Sequence, residues 1–115
     1  MNKDFSNIIL HFMKTELINK EIIARIDGAG VFHGTLDYLD AEIIRMKNVR
    51  RIYSWMGALS VTDMAVNGIR TGKVTVPVTI VEFMSRKIIE LNECNAKATE
   101  SIESIESWKD ESSHL

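Results

Sequence analysis

Residues 50–61, "RRIYSWMGALSV", bring cations, aromatic rings and small residues together in one short stretch. If the stretch begins as a strand, alternate side chains share a face, and Arg51, Tyr53 and Trp55 point the same way. Arg50 then points to the opposite face. An aromatic ring can stack on a purine, and an arginine can pair with a phosphate through two hydrogen bonds. The pattern predicts a ligand platform with Arg51 as the direct phosphate ligand, and it equally fits two core aromatics with the Arg51 stem lying along them.

Two neighbouring stretches would complete such a platform. Small residues in "MGALS" let a ligand approach the main chain, and backbone N–H groups near Ser60, at the start of a helix, can receive an oxyanion. In "RIDGAGVFHG", Arg25, Phe32 and His33 surround a glycine turn and would form a wall of the same pocket, with Arg25 assisting Arg51. A plain turn with Phe32 in the core explains the same residues. The predicted ligand-binding residues are Arg25, Phe32, His33, Arg50, Arg51, Tyr53, Trp55, Ser60 and Arg70.

The remaining reactive residues do not form a catalytic or metal-binding pattern. An enzyme needs a nucleophile, a base and an orienting group in one place, and no spacing singles out Asp63, Glu82, Glu90 or His33. Histidines and the single cysteine are scattered without the spacing of metal ligands. Glycine motifs for dinucleotides or phosphates are absent from the sequence. We therefore expect a binding protein with no metal and no cofactor.

Composition limits the class of protein. A chain of 115 residues with 45% hydrophobic and 26% charged residues is typical of one globular domain, here residues 1–115. The net charge of −2 argues against duplex nucleic acid as a partner, because binding many phosphates normally requires a basic surface. No apolar run approaches the length of about 20 residues that spans a membrane. A lone Cys94 and the lack of a secretory leader predict a reducing cytoplasm.

Hydrophobic periodicity predicts an α+β fold that would position these residues. An amphipathic helix is expected over "SNIILHFMKTELINK", residues 6–20. The segments "EIIARID", "VFHGTLDYL", "AEIIRMK" and "VRRIYSWM" predict a four-strand meander, with Asn48 separating the last two. "SVTDMAVNG" carries a start signal at Ser60 and a stop signal at Gly68, which predicts a short helix near 60–68.

The second half predicts more strands and a terminal helix. After a loop at "RTGK", "VTVPVTIVEFM" reads as one strand with Pro77 at an edge or bulge, and "RKIIELNE" as a further strand. The tail "AKATESIESIESWKD" places Ala98, Ile102, Ile105 and Trp108 on one side of a helix. The prediction is an antiparallel sheet of about five or six strands with three helices. The leftover apolar surface favours a homo-oligomer built on an isologous dimer.

Two segments resemble a known family. "GAGVFHGTL", followed by "NVRRIYSWMGALSVTDMAVNGI", resembles small bacteriophage proteins that carry an "AGVFxG" hairpin and an "NARRIWYWSGAxSL" stretch. It is similar to the phage anti-Thoeris sponges, over residues 22 to about 100. Tyr53 and Ser54 stand where the family has "WY", and Met56 replaces a serine.

The resemblance implies a non-enzymatic function in the cytoplasm of an infected bacterial host. Such sponges bind the glycocyclic ADP-ribose type of signal that TIR-domain NADases make, and they hold it intact so that the effector stays silent. They assemble as dimers and higher oligomers with pockets between protomers, and some also bind cyclic oligonucleotides at separate sites. Two alternatives remain open from the residues: a phage protein that inhibits or adapts a host protein by direct contact, and a nucleotide-processing enzyme.

Overall fold

The computed structural model describes residues 16–108, which form an α+β fold. A six-stranded antiparallel sheet carries two helices, which confirms the predicted class. Most of the predicted helix over residues 6–20 lies outside the described residues. The elements, in chain order, are β1 (Glu21–Ile26), β2 (Gly30–Leu39), β3 (Ile43–Met56), α1 (Val61–Asn67), β4 (Thr71–Val74), β5 (Val78–Met84), a 3₁₀ turn (Ser85–Lys87), β6 (Ile88–Glu93) and α2 (Ala96–Glu103).

The sheet has the order β4-β3-β2-β1-β6, and β5 also pairs with β3. The β1–β2 hairpin forms where the glycine turn predicted it, with Ile26 opposite Gly30. The backbone N–H of Ala29 donates to the carbonyl of Ile26 at 3.0 Å, and Gly28 has a φ of 76°. That left-handed conformation favours glycine, so the sequence signal for the turn has a direct structural reason.

Strand β3 is one strand of 14 residues, and the prediction of two strands around Asn48 is wrong. Asn48 has a φ of 51° and lies in a bulge, because Thr35 pairs with Lys47 while His33 pairs with Arg50. Asparagine tolerates this left-handed conformation, so it serves in a bulge as readily as in a turn. The meander therefore has three strands rather than four.

The edge strand along β3 is interrupted at Pro77. Three of the four residues in the predicted loop "RTGK" fall within β4, and the predicted single strand over 74–84 is divided between β4 and β5. Ile52 pairs with Val74 and Val49 pairs with Val78, so both pieces run along the same edge of β3. Proline has no N–H for a sheet hydrogen bond, and its place in this interruption agrees with the predicted edge or bulge.

The sheet is strongly coiled around an apolar cluster on one of its faces. The backbone N–H of Ser85 donates to Glu42 O at 2.9 Å, and that of Asp27 donates to Lys87 O at 2.7 Å. Glu42 and Asp27 lie beyond opposite ends of β2, which would span about 30 Å if it were straight. The 3₁₀ turn Ser85–Lys87 has only three residues. It can contact the chain beyond both ends of β2 only because the strands bend. This cluster, which we call the inner cluster, contains Ile22, Ala24, Ile26, Phe32, Leu36, Leu39, Ile44, Met46 and Val49.

Both described helices cover the opposite face of the sheet. The buried side chains between them and the sheet form the helix-side cluster, which includes Ile23, Ile52, Met64, Val74 and Ile102. Helix α2 ends at Glu103, so Ile105 and Trp108 lie beyond the helix that the sequence predicted for them. Within residues 16–108, no helix is both long and apolar enough to cross a membrane.

Candidate functional site

A cleft of about 830 Å³ that contains predicted site residues lies between the β1–β2 turn and the start of α1. We call it the turn–helix cleft. Arg25, Trp55 and Ser60 all line it, together with the backbone of Gly28–Gly30. Two carboxylate residues, Asp27 and Glu90, and the hydroxyl residue Thr62 add to its polar lining. Its volume lies within the range of about 300–1,000 Å³ that is usual for small-molecule sites.

Trp55 reaches this cleft because of an irregularity in β3. Ile52 pairs with Val74 and Ser54 with Lys73, so Tyr53 is an extra residue that shifts the alternation of side chains. Trp55 consequently packs against the helix-side cluster, and the prediction that it shares a face with Arg51 and Tyr53 is wrong. Its indole Nε1 donates to Ala58 O at 3.2 Å, which fixes the ring beside the cleft.

Ser60 lines the cleft as the N-cap of α1. Its Oγ accepts a hydrogen bond from the backbone N–H of Asp63 at 3.0 Å. The Asp63 carboxylate in turn accepts from the Leu59 backbone N–H at 2.8 Å and from Asn67 Nδ2 at 2.7 Å. These bonds, led by the one from Leu59, lower the pKa of Asp63. The Ser60 hydroxyl keeps its own proton for a ligand, since the cap uses it only as an acceptor.

Charge in the cleft is mixed. Arg25 is exposed and stands opposite Glu90 in the β1–β6 pairing, and within the described chain no carboxylate forms an ion pair with it. Asp27 adds a second carboxylate. One guanidinium among two carboxylates suits a ligand that carries both an anionic group and hydroxyl groups.

Arg50 is an internal structural residue. Its side chain lies on the helix side and is only 5% exposed. Nε donates to Thr75 O at 2.8 Å, Nη1 to Ile102 O at 3.0 Å and Nη2 to Ile105 O at 2.7 Å. Burial lowers the pKa of Arg50, and the nearby Glu103 opposes that effect. Because its donors bind the end of α2, Arg50 does not face either the cleft or the solvent.

Arg51 points the other way, as strand alternation predicts. Its guanidinium carbon lies 4.9 Å from the ring centre of Phe32 and 5.4 Å from that of Tyr53. Arg51 Nε is buried and has no hydrogen-bond partner among residues 16–108. A small pocket of about 250 Å³ opens beside it, lined by Phe32, Val49, Arg51, Tyr53, Thr75, Val76, Val78 and Val81.

A second tryptophan, Trp108, lies beside Tyr53, where the sequence predicted Trp55. The rings of Tyr53 and Trp108 meet edge to face, with centres 6.3 Å apart, and Lys73 Nζ lies 5.0 Å from the Trp108 ring centre. We call Arg51, Tyr53, Lys73 and Trp108, with the adjoining pocket, the Arg51 face. No local sequence pattern predicts Trp108 at this position, because its backbone N–H donates to the carbonyl of Val74, which is far away in the chain.

The other predicted site residues lie elsewhere. His33 is 2% exposed beneath the helices, and burial lowers its pKa to about 4. Phe32 is buried in the inner cluster, 4.6 Å from Phe83, and does not form a wall with Arg25 and His33. Arg70 is exposed and lines neither the cleft nor the pocket beside Arg51. The single predicted pocket is thus divided between two surfaces and the interior.

Reactive groups in the described residues are dispersed or buried. Among residues 16–108, no three histidine, cysteine, aspartate or glutamate side chains come together as metal ligands. Cys94 is buried, and burial raises the pKa of its thiol to about 12. A thiol in that environment is a poor nucleophile.

Comparison with protein families identifies one match. The model of a family described as a domain of unknown function, DUF6948, matches residues 19–102. That range extends from just before β1 to the last turn of α2 and includes the turn–helix cleft. Comparison with curated proteins and with solved structures finds no match.

Proposed function

Since the chain belongs to the DUF6948 family, whose function is unknown, we propose its function from the geometry of the turn–helix cleft. The protein binds a cyclic ADP-ribose isomer of the glycocyclic type and holds it intact. It thereby keeps the signal of bacterial TIR-domain NADases from its effector in the cytoplasm of an infected host. The observation that carries this proposal is one cleft of about 830 Å³ that joins an indole, a guanidinium and two carboxylates.

Each part of such a ligand has a matching group in the cleft. The adenine stacks on Trp55, whose ring is fixed by its bond to Ala58. The pyrophosphate pairs with Arg25 and approaches the backbone of the glycine turn. Asp27 and Glu90 accept hydrogen bonds from ribose hydroxyls, the role that an acidic residue has in many dinucleotide sites.

Holding rather than breaking the signal is consistent with the chemistry of the cleft. Cleavage of a glycosidic or phosphate bond would require a positioned nucleophile or base. The cleft lining holds two hydroxyl residues, Ser60 and Thr62, and two carboxylates, Asp27 and Glu90. Among residues 16–108 no hydrogen bond joins one of these hydroxyls to one of these carboxylates as a nucleophile and its base, and Ser60 Oγ instead accepts from the backbone N–H of Asp63. A sponge must bind below the working concentration of the signal, so we expect a nanomolar Kd, about −12 kcal/mol. For a ligand of roughly 35 heavy atoms this is about −0.3 kcal/mol per atom, an ordinary efficiency.

Self-association is part of the proposal. Leu59 is 98% exposed and Ile89 is 55% exposed, and both lie on the lining of the turn–helix cleft. A second protomer that covers these side chains would remove their apolar surface from water. We therefore expect an isologous dimer or a higher oligomer. Sedimentation that shows only a 13.1 kDa species at micromolar concentration would contradict it.

A release assay separates sequestration from the alternatives. The protein is incubated with the cyclic signal, removed by heating, and the supernatant is applied to the NAD-depleting effector. Recovered activity supports sequestration, lost activity indicates hydrolysis, and a signal that is never depleted indicates a different target such as a host protein. Either of the last two results refutes the proposal.

Calorimetry tests whether the ligand binds in the cleft. Trp55→Ala should weaken binding by about 1–3 kcal/mol through lost stacking, and Trp55→Phe should retain part of it. Arg25→Lys keeps the charge but loses the two-pronged contact, so it should also weaken binding. Arg70→Lys is the matched control, because Arg70 is an exposed arginine outside the cleft. Equal affinities for all four variants, each with native melting, would place the ligand elsewhere.

A further inference from the structure

The Arg51 face is a second surface with binding chemistry of its own. Its pocket of about 250 Å³ shares no lining residue with the turn–helix cleft. Four valines and Phe32 make the pocket mainly apolar, and among the described residues that line it Arg51 is the only charged one. An apolar pocket with one cation fits a group that is partly hydrophobic and partly anionic.

Arg51 and Lys73 lack acidic partners within the described chain. Neither takes part in the ion pairs found among residues 16–108, and both instead lie against aromatic rings. Arg51 Nε is buried without a hydrogen-bond acceptor in this range. The charge of this surface therefore favours an acidic partner.

An unpaired strand edge adjoins the same pocket. In the described residues, β5 pairs only with β3, and Val78, at its start, lines the pocket. Three of its side chains, Val78, Ile80 and Met84, are about half exposed. The single charged residue of β5, Glu82, is already paired with Arg45 at 2.6 Å. Charges and prolines within a strand are among the devices that block natural edges. Val78–Met84 holds no proline and no charge outside an ion pair, and among the described residues its main chain can accept another strand.

We propose that the β5 edge and the Arg51 face together bind an extended segment of a partner protein. The segment adds to β5 as an antiparallel or parallel strand. It carries an acidic residue and an apolar residue two positions apart, because alternate residues of a strand share a face. The apolar side chain enters the pocket and the carboxylate pairs with Arg51. The small volume and valine lining of the pocket favour a peptide side chain over a nucleotide, and the proposal does not depend on the function of the turn–helix cleft.

Synthetic peptides test the proposal on the full chain. The probe is acetyl-Thr-Val-Thr-Phe-Thr-Glu-Thr-Val-amide with a fluorescent label, titrated by anisotropy. Two matched peptides serve as controls. In the first, Gln replaces Glu. In the second, alternate backbone nitrogens are methylated on the edge that would pair with β5. Arg51→Lys is compared with Arg86→Lys, an exposed arginine beyond the far end of β5. The Arg51 change should weaken the Glu peptide about tenfold and the Gln peptide less than twofold.

Every result either supports or overturns this assignment. Support requires that the Gln peptide and the methylated peptide bind several-fold more weakly than the Glu peptide, and that Arg86→Lys binds like the native chain. Equal binding of the Glu and Gln peptides, or an Arg51→Lys variant that binds normally, removes the carboxylate contact. Binding of an adenine nucleotide that displaces the peptide assigns the face to nucleotides instead. If β5 pairs with β5 of a second copy and no peptide binds, the edge is a self-association surface and the proposal fails.

Discussion

Replacement of Arg50 by lysine should destabilise the fold far more than the same replacement of its neighbour. Arg50 makes three hydrogen bonds of 3.0 Å or less, to Thr75 O, Ile102 O and Ile105 O, from three different nitrogens. A lysine ammonium is a single point that cannot reach all three carbonyls. Two bonds to a charged donor are lost, at about 1.5–3 kcal/mol each, and some relaxation recovers part of this. We expect the free energy of unfolding of Arg50→Lys to fall by about 3 kcal/mol.

Urea and thermal unfolding, followed by circular dichroism, measure this loss. A change of about 3 kcal/mol should lower Tm by roughly 10 °C in a domain of this size. Arg51→Lys is the matched control, because Arg51 only stacks on Phe32 and Tyr53, and it should cost less than about 1 kcal/mol. An Arg50→Lys variant within 1 kcal/mol of the native protein, or equal losses for both variants, would refute the role assigned to Arg50.

Four other predictions concern stability and reactivity. Because the pKa of His33 is about 4 in the fold and 6.5 when unfolded, the unfolded chain binds a proton that the fold excludes as pH falls below 6.5. Stability should fall by up to about 3 kcal/mol between pH 6.5 and 4 in urea titrations, and His33→Gln should flatten that slope. Ser60→Ala should cost about 1 kcal/mol of unfolding free energy through the lost N-cap, whereas Ser60→Asp should retain most of it. Gly57→Ala should lower the unfolding free energy by about 2–3 kcal/mol, since Gly57 has a φ of 103° and an added Cβ would lie 2.7 Å from Arg70 N; an unchanged Tm would contradict this. Cys94, with a thiol pKa of about 12, should resist iodoacetamide at pH 8 in the folded protein and react in urea, as mass spectrometry would show.

The sequence predicts well those elements whose signals are local. The glycine turn after β1 and the short helix α1 were both predicted, because a positive φ at Gly28 and a Ser60 cap depend on neighbouring residues. The predicted break between two strands at Asn48 was wrong. An asparagine in the left-handed conformation occurs both in turns and in bulges, and the sequence does not distinguish them. The predicted end of α2 was also wrong. Helical periodicity in the sequence continues past Glu103, whereas Arg50, in a distant strand, donates hydrogen bonds to the last carbonyls of the helix.

The candidate site depends more on long-range contacts and was harder to predict. Alternation correctly separated Arg50 from Arg51, because the two follow one another within β3. Alternation predicted the wrong face for Trp55. The bulge at Tyr53 that shifts the alternation depends on how β3 pairs with β4, and the sequence of β3 alone does not indicate that pairing. Trp108 reaches the Arg51 face through a bond to Val74, which no local pattern indicates. Binding by the predicted residues stays a prediction.

The pairing of β1 with β6 has a consequence for synthesis of the chain on the ribosome. Ile22 pairs with Glu93, so the second neighbour of an early strand is made about seventy residues later. Until β6 emerges, β1 keeps one open edge and the inner cluster lacks the side chains of Ile88 and Leu91. Contacts of such long sequence separation make folding slow and leave apolar surface exposed in the nascent chain. The sheet of this protein therefore cannot be completed until its last strand has been synthesised and has paired with β1.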